Sequence, residues 1–131
     1  MDTPGPWMAD LNATISATPE LMRAIMRGLR AAGHEVHILT GCDKPEVTPE
    51  VIAEKLAQLD SLNFRKGIDY DTAVAVSGPE SEVAQRKVEY MRHVGAAGLI
   101  DDKKRNIKAV RAAGFMGIRH VDPRDSGQAP H

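Results

Sequence analysis

The sequence has little of several features that would place it in a specialised class. Its single cysteine, Cys42, cannot form an internal disulfide bond, which excludes a disulfide-stapled secreted scaffold. Aromatic residues make up 4% of the 131 residues, so few side chains are available to stack on nucleic-acid bases. No apolar run approaches the roughly 20 residues of a membrane-spanning helix. The 17 basic and 18 acidic residues nearly cancel, giving a net charge of −1.

The remaining composition is typical of one ordinary globular domain. Hydrophobic residues make up 42% of the chain and charged residues 27%. The length suits a single domain with its own core, so we expect one domain over residues 1–131, with a core at about 6–122 and a polar tail at 123–131. The first six residues contain neither a basic nor an apolar segment. We therefore expect no signal peptide, no membrane association and a cytoplasmic location.

Short apolar runs alternate with amphipathic stretches, which is typical of βα units around a parallel sheet. We predict strands at 7–9, 36–39, 72–76, 99–100 and 117–121, with helices at 19–32, from 49 onward, at 79–93 and at 103–113. The predicted fold class is α/β: a single three-layer Rossmann-like domain whose five-stranded parallel sheet has helices on both faces.

Individual positions in these elements carry their own predictions. Thr18 and Thr48 each precede a proline and a glutamate, so both are predicted N-caps. Leu21 and Leu56 belong to the predicted apolar faces of their helices. His34 and His37 have no cysteine at metal-site spacing, and we predict that they face solvent.

Oxygen-bearing side chains follow three of the predicted strands. Asp10 follows the first strand, Thr40 and Gly41 end the second, and Asp101 and Asp102 end the fourth. In an open parallel sheet, ligands bind beyond the carboxyl ends of the strands, so these residues are expected at one edge. Carboxylates gathered there repel one another unless a cation lies between them, and Mg²⁺ suits an all-oxygen site. An aspartate after a strand is, however, also a common turn former or helix cap.

Four segments in order resemble the motifs of the haloacid dehalogenase-like (HAD) superfamily. Residues 7–14, Trp-Met-Ala-Asp-Leu-Asn-Ala-Thr, are similar to its first motif, an apolar run followed by Asp-x-Asp-Gly-Thr. Residues 36–41 resemble its second motif, an apolar strand that ends in Ser or Thr, and residues 98–102 resemble its fourth, an apolar strand that ends in paired acids. Lys87, in a polar helix, is the best match to the lysine of the third. The resemblance covers roughly residues 7–121.

The resemblance implies a magnesium-dependent phosphotransfer reaction. Asp10 would be the nucleophile that forms an aspartyl-phosphate. Mg²⁺ would be held by Asp10, the main-chain carbonyl of Asn12, and Asp101 or Asp102. The substrate phosphate would be bound at the end of the second strand and by the ammonium group of the third motif, that is, by Thr40, Gly41 and Lys87. The family fold also implies that the first strand lies between the second and the fourth.

Two departures from the family pattern bear on function. Asn12 stands where the family has the aspartate that protonates the leaving group, and an amide cannot give up and recover a proton near neutral pH. Ala13 replaces the usual glycine. One hypothesis is therefore a phosphohydrolase or phosphotransferase that is weak or restricted to good leaving groups. The alternative is a catalytically inactive HAD-like domain that binds a phosphorylated ligand or a protein partner.

The sequence also bears on partners. Only about 25 residues separate Asp10 from the second strand, so we expect no cap domain. An open site suits a phosphorylated small molecule or a macromolecular end, or is completed by a neighbouring subunit in a homo-oligomer. The basic run at 103–111 indicates a solvated helix face or, alternatively, a surface for nucleic-acid phosphates. A response-regulator receiver would instead need paired acids after the first strand.

Overall fold

The computed structural model of the protein describes residues 4–122. Strands and helices alternate along this segment as β1 (Trp7–Ala9), α1 (Pro19–Ala31), β2 (Val36–Gly41), α2 (Pro49–Ser61), β3 (Thr72–Val76), α3 (Glu80–Val94), β4 (Gly98–Asp101), α4 (Lys104–Ala112) and β5 (Met116–Arg119). A wide five-residue turn, Leu11–Ile15, joins β1 to α1. The tail predicted at 123–131 lies outside the described residues.

The five strands form one parallel sheet in the order β3-β2-β1-β4-β5. β1 pairs with β2 on one side and with β4 on the other, so that Ala9 lies opposite both Ile38 and Ile100. The predicted α/β Rossmann-like fold is therefore confirmed, and so is the central position of the first strand. This arrangement brings the ends of β1, β2 and β4 to one edge of the sheet.

The helices pack on both faces of the sheet and, among residues 4–122, form two large apolar cores and one small cluster. One core joins the sheet to α1 and α2 and includes Met22 and Met26, which lie one turn apart and are fully buried. The other core joins the opposite face to α3 and α4 and includes Met91 and Val110. Each fully buried side chain of this size contributes about 1.5–3 kcal/mol relative to an exposed one. These two cores fix the strand ends that position the candidate site.

The two threonine–proline helix starts behave differently. The Thr48 hydroxyl accepts a hydrogen bond from the Val51 N–H at 3.3 Å, as predicted for an N-cap. The Thr18 side chain caps nothing; its Oγ1 lies 2.7 Å from His120 Nε2. The N-cap prediction is therefore wrong for Thr18, because a tertiary contact between the start of α1 and the residue after β5 replaces the local one.

Several predicted exposures are also wrong. His37 is buried, with Nε2 2.9 Å from Glu35 Oε1 and Nδ1 2.7 Å from the Tyr90 hydroxyl. His34 is half-buried and contacts the Gly5 carbonyl. Helices cover both faces of a parallel sheet, so a polar residue in a strand can be buried on either face. Conversely, two predicted core positions are exposed: Leu21 at 52% and Leu56 at 39%.

Arginines on one side of α1 hold the segment that leads into β3. Arg27 Nε lies 2.6 Å from Asp69 Oδ1, and Arg30 donates to both carboxylate oxygens of Asp71. Asp69 also accepts the Arg65 N–H at 2.8 Å and is fully buried. These contacts tie α1 to the chain between α2 and β3. Among the described residues, no helix has both the length and the apolar character needed to cross a membrane.

Candidate active site

Three carboxylates converge at the carboxyl edge of the sheet. Asp10 directly follows β1, Asp101 is the last residue of the neighbouring strand β4, and Asp102 comes next. One oxygen from each lies within 4.8 Å of the others. Asp10 and Asp101 are buried, with 6% and 0% of their surface exposed. The structure thus brings together the aspartates that the sequence placed at separate strand ends.

Lys87 supplies the positive charge within this cluster. Its Nζ lies 3.2 Å from Asp10 Oδ1 and 2.6 Å from Asp101 Oδ2, and the side chain is 1% exposed. Asp101 is held further by the Lys103 N–H at 2.9 Å and by the Asn106 amide at 3.0 Å. Sequence reasoning selected Lys87 but assigned no role to Asn106, whose only signal is its place near the start of the helix after the acid pair.

The electrostatics of the cluster are set by burial. Burial raises the pKa of Asp10 to about 7; the Lys87 ammonium opposes this shift, and the negative charges of Asp101 and Asp102 add to it. Burial alone would lower the pKa of Lys87, but the charges of Asp10 and Asp101 hold it above its ordinary value. Lys87 therefore stays protonated, and a second cation at the cluster would favour ionised Asp10.

The turn between β1 and α1 places two further groups beside the acids. Ala13 has φ +60°, in the left-handed region that favours glycine, and this is the position where the family pattern has glycine. The Thr14 hydroxyl, which is fully buried, donates to Asp102 Oδ1 at 3.3 Å. Thr14 belongs to the first motif, so the motif could have indicated it as a site residue.

A cavity of about 400 Å³ opens over the cluster. Its lining includes five of the site residues predicted from the sequence: Asp10, Asn12, Thr40, Gly41 and Lys87. Asp101 and Asp102 do not line it, but Asp101 contacts the lining residue Lys87. Thr40 Oγ1 is buried and has no hydrogen-bond partner among residues 4–122. An unpaired buried hydroxyl is costly, and this one is available to a polar ligand.

Asn12 lies at the rim of the cavity and is exposed. Its side-chain oxygen accepts a hydrogen bond from Gln58 Nε2 of α2 at 3.1 Å. At the opposite side of the mouth, Lys103 Nζ lies 3.1 Å from Glu80 Oε1. The cavity is therefore bounded by α2 on the side of residue 12 and by an ion pair between α3 and the start of α4 on the other.

The donor set of the cluster fits magnesium. All three side chains offer carboxylate oxygens, which are the hard ligands that Mg²⁺ prefers, and nitrogen or sulfur ligands are absent from this group. The cavity above leaves room for the water and phosphate ligands that this ion usually keeps. Asp10, Asp101 and Asp102 are thus the residues that could hold the ion.

Comparison with known proteins gives a fold but no family. No family model matches the chain, and no curated protein matches it in sequence. An uncharacterized protein from Corynebacterium glutamicum has a TM-score of 0.57 at 16% identity, over 88% of this chain and 84% of that one. A universal stress protein family member from Burkholderia pseudomallei has a TM-score of 0.55 at 13% identity, over 92% and 98%.

A third similar structure is a HAD-family enzyme from Bacteroides thetaiotaomicron, a mutant in complex with magnesium and inorganic phosphate. Its TM-score is 0.49 at 15% identity, over 81% of this chain and 54% of that one. Likenesses at such low identity show the fold and carry nothing about activity. The chain has an α/β Rossmann-like fold, a five-stranded parallel sheet between helices, and the first two structures are similar to it over most of their length.

Proposed function

We infer that the protein is a HAD-like, magnesium-dependent phosphohydrolase or phosphotransferase. The observation that carries this inference is the convergence of Asp10, Asp101, Asp102 and Lys87 beneath one open cavity. The substrate would be a phosphorylated small molecule or the phosphorylated end of a macromolecule. Three of the four segments that resemble HAD motifs supply these residues, and the remaining one, residues 36–41, supplies Thr40 and Gly41 of the cavity lining.

Each residue has a role that its position supports. Asp10 attacks phosphorus and forms an aspartyl-phosphate, a covalent route open to carboxylates. The Lys87 ammonium and the unpaired Thr40 hydroxyl donate to phosphate oxygens, beside Gly41 at the end of β2. Mg²⁺, held by the acid cluster and the Asn12 carbonyl, would offset the negative charge of the transferring group. Gathering these charges in a mostly buried site strengthens their effect.

Residue 12 sets a limit on this chemistry. The Asn12 amide is held by Gln58 and can donate a hydrogen bond, but it cannot transfer a proton. Loss of a general acid–base group costs about 10²–10⁴-fold in rate. Asn12 therefore cannot supply the proton that an alkoxide leaving group needs, whereas an ester whose leaving group departs without a proton does not require it.

The test is turnover of an activated aryl phosphate. We expect release of the phenolate that depends on Mg²⁺ and disappears with EDTA. Asp10→Asn keeps the shape of the side chain and should lower kcat/KM by roughly 10³-fold or more, because it removes the nucleophile. Asp60→Asn, an exposed change of the same kind on α2, should leave the rate within about threefold.

A crystal grown with Mg²⁺ and beryllium fluoride separates the two functional hypotheses. Density for a beryllium fluoride group joined through beryllium to an Asp10 carboxylate oxygen would support a competent nucleophile. Binding of the phosphate mimic without aryl phosphate turnover would support the alternative, a non-catalytic domain that binds phosphorylated ligands. An acid cluster that binds neither the metal nor the mimic would contradict the proposed function.

A further inference from the structure

One face of α2 forms the wall of the cavity beside residue 12. Val51, Glu54 and Lys55 line the cavity, and Gln58, one turn after Glu54, contacts Asn12. These positions are related by i, i+3, i+4 and i+7, which places them on one side of a helix. The side of α2 that faces the site is therefore not uniformly apolar, and it carries a carboxylate.

Glu54 is the cavity-lining carboxylate that stands on the same helix as Gln58, the contact of Asn12. Residues four apart on a helix have Cβ atoms about 5–6 Å apart, so Glu54 lies about that far along α2 from the residue that contacts Asn12. Within residues 4–122, the Glu54 side chain makes no ion pair or hydrogen bond, whereas Glu80 at the same cavity is paired with Lys103. Glu54 is exposed to the cavity and stands on a helix capped by Thr48.

We propose that Glu54 is the general acid and base of this site, taking over the proton transfer that Asn12 cannot perform. The proposal rests on the proposed function, with Asp10 as nucleophile. In the first step, an Asp10 oxygen forms a bond to phosphorus as the ester P–O bond breaks. The electron pair of that bond stays on the leaving oxygen, which takes the proton of the Glu54 carboxyl group and leaves as an alcohol.

The second step returns both groups to their starting state. A water oxygen attacks phosphorus while its proton passes to the Glu54 carboxylate. The bond between phosphorus and the Asp10 oxygen breaks, and its electrons restore the Asp10 carboxylate. Inorganic phosphate is released, and Glu54 again carries a proton. If an acceptor alcohol replaces water, the same step gives phosphotransfer.

The experiment compares two esters in the Glu54→Gln variant of the full chain with Mg²⁺. A simple alkyl phosphate needs a proton on its leaving alkoxide, whereas an activated aryl phosphate does not. We expect kcat/KM for the alkyl ester to fall by about 10²–10⁴-fold and kcat/KM for the aryl ester to stay within about threefold. Because the same carboxylate activates water, aryl phosphate should leave the variant phosphorylated on Asp10, detected by intact mass.

Two further variants separate proton transfer from a structural effect. Glu50→Gln makes the same change one turn earlier on α2, at an exposed position outside the cavity lining, and should alter neither ester's kcat/KM by more than about threefold. Adding Asn12→Asp to Glu54→Gln restores a carboxyl group beside the leaving oxygen. It should recover at least about tenfold of the lost alkyl ester activity.

The outcomes distinguish this role from the proposed function. Aryl phosphate turnover with no measurable alkyl phosphate turnover in the parent protein overturns the role of Glu54 and leaves the Asp10 chemistry standing. Equal effects of Glu54→Gln on the two esters, or none on either, also overturn it. Absence of any magnesium-dependent turnover overturns the proposed function and, with it, the role of Glu54.

Discussion

Ala13 has a backbone conformation that favours glycine, the residue found at this position in the HAD-like motif. Its φ of +60° costs an L-residue roughly 1–2 kcal/mol. A glycine at this position would remove that cost, but part of the gain in stability would be lost because glycine makes the unfolded chain more flexible. Ala13 lies in an exposed part of the turn between β1 and α1, so removing its methyl group leaves no cavity. The strain is therefore a local property of residue 13.

We expect Ala13→Gly to raise the free energy of unfolding by about 0.5–1 kcal/mol, measured by urea denaturation. Asn63, with φ +63°, provides the matched control because asparagine tolerates this region. Asn63→Gly should change the free energy of unfolding by less than half as much. Equal gains in the two variants would show that φ strain at Ala13 is not the cause.

Lys87 shows what a motif can and cannot predict about one residue. Its match to the third motif predicted a place beside the acids, and its ammonium does lie between Asp10 and Asp101. The same match gave no indication of the Asn106 amide or the Lys103 N–H on Asp101. Those contacts depend on how α4 begins after β4, which is a matter of backbone geometry rather than of residue type.

At the scale of elements, the connection from α2 to β3 depends on carboxylates. Burial works against ionised Asp69, but the Arg65 N–H and the Arg27 guanidinium outweigh it and hold its pKa below the usual range. For Asp71, the hydrogen bonds from Arg30 lower the pKa more than burial raises it. A carboxylate with a depressed pKa in the folded state contributes stability above its unfolded pKa and loses it as pH falls through the folded value.

We therefore predict that the contribution of Asp69 and Asp71 to the free energy of unfolding falls as the pH is lowered from about 5, where an unfolded aspartate begins to take up protons. Asp69→Asn should lower the free energy by about 1–3 kcal/mol at pH 7, since it weakens charged hydrogen bonds at a buried site. It should also flatten the decline toward acid pH. Urea titrations across this range check both, with Asp60→Asn as the exposed control; an unchanged pH slope would contradict the assignment.

The secondary structure shows which elements a sequence pattern can predict. β1 and β3 have their predicted bounds, α1 ends one residue earlier than predicted, and α3 begins and ends one residue later. These elements are set by short-range patterns of apolar residues, capping residues and proline. The turn at Leu11–Ile15 was not predicted, because its backbone alternates between extended and left-handed values that no periodicity encodes. The contact of Thr18 with His120 joins residues 102 apart and is equally invisible to local patterns.

At the scale of the whole molecule, the candidate site could be predicted because the topology of a parallel sheet fixes where its strand ends lie. Asp10 and Asp101 meet because β1 and β4 are neighbours with aligned ends. The wall formed by α2 could not be predicted in the same way. It depends on the packing angle of a helix against the sheet, which brings three residues of α2 to the cavity and Gln58 to Asn12.

The same topology makes the acid cluster a link between the central strand β1 and its neighbour β4, so a cation bound there should stabilise the entire fold. A ligand that binds only the folded state adds RT ln(1 + [L]/Kd), which is about 2.7 kcal/mol at a hundredfold excess over Kd. We expect Mg²⁺ to raise the melting temperature measured by differential scanning calorimetry and EDTA to reverse the rise. Asp102→Asn removes a half-buried ligand and should abolish most of this response, whereas Asp43→Asn, at the cavity but outside the cluster, should keep it. If Mg²⁺ raised the melting temperature equally in the two variants, the metal would bind elsewhere. Only Asp102→Asn changes a carboxylate of the cluster, and through its contact with Thr14 that carboxylate joins the end of β4 to the turn after β1.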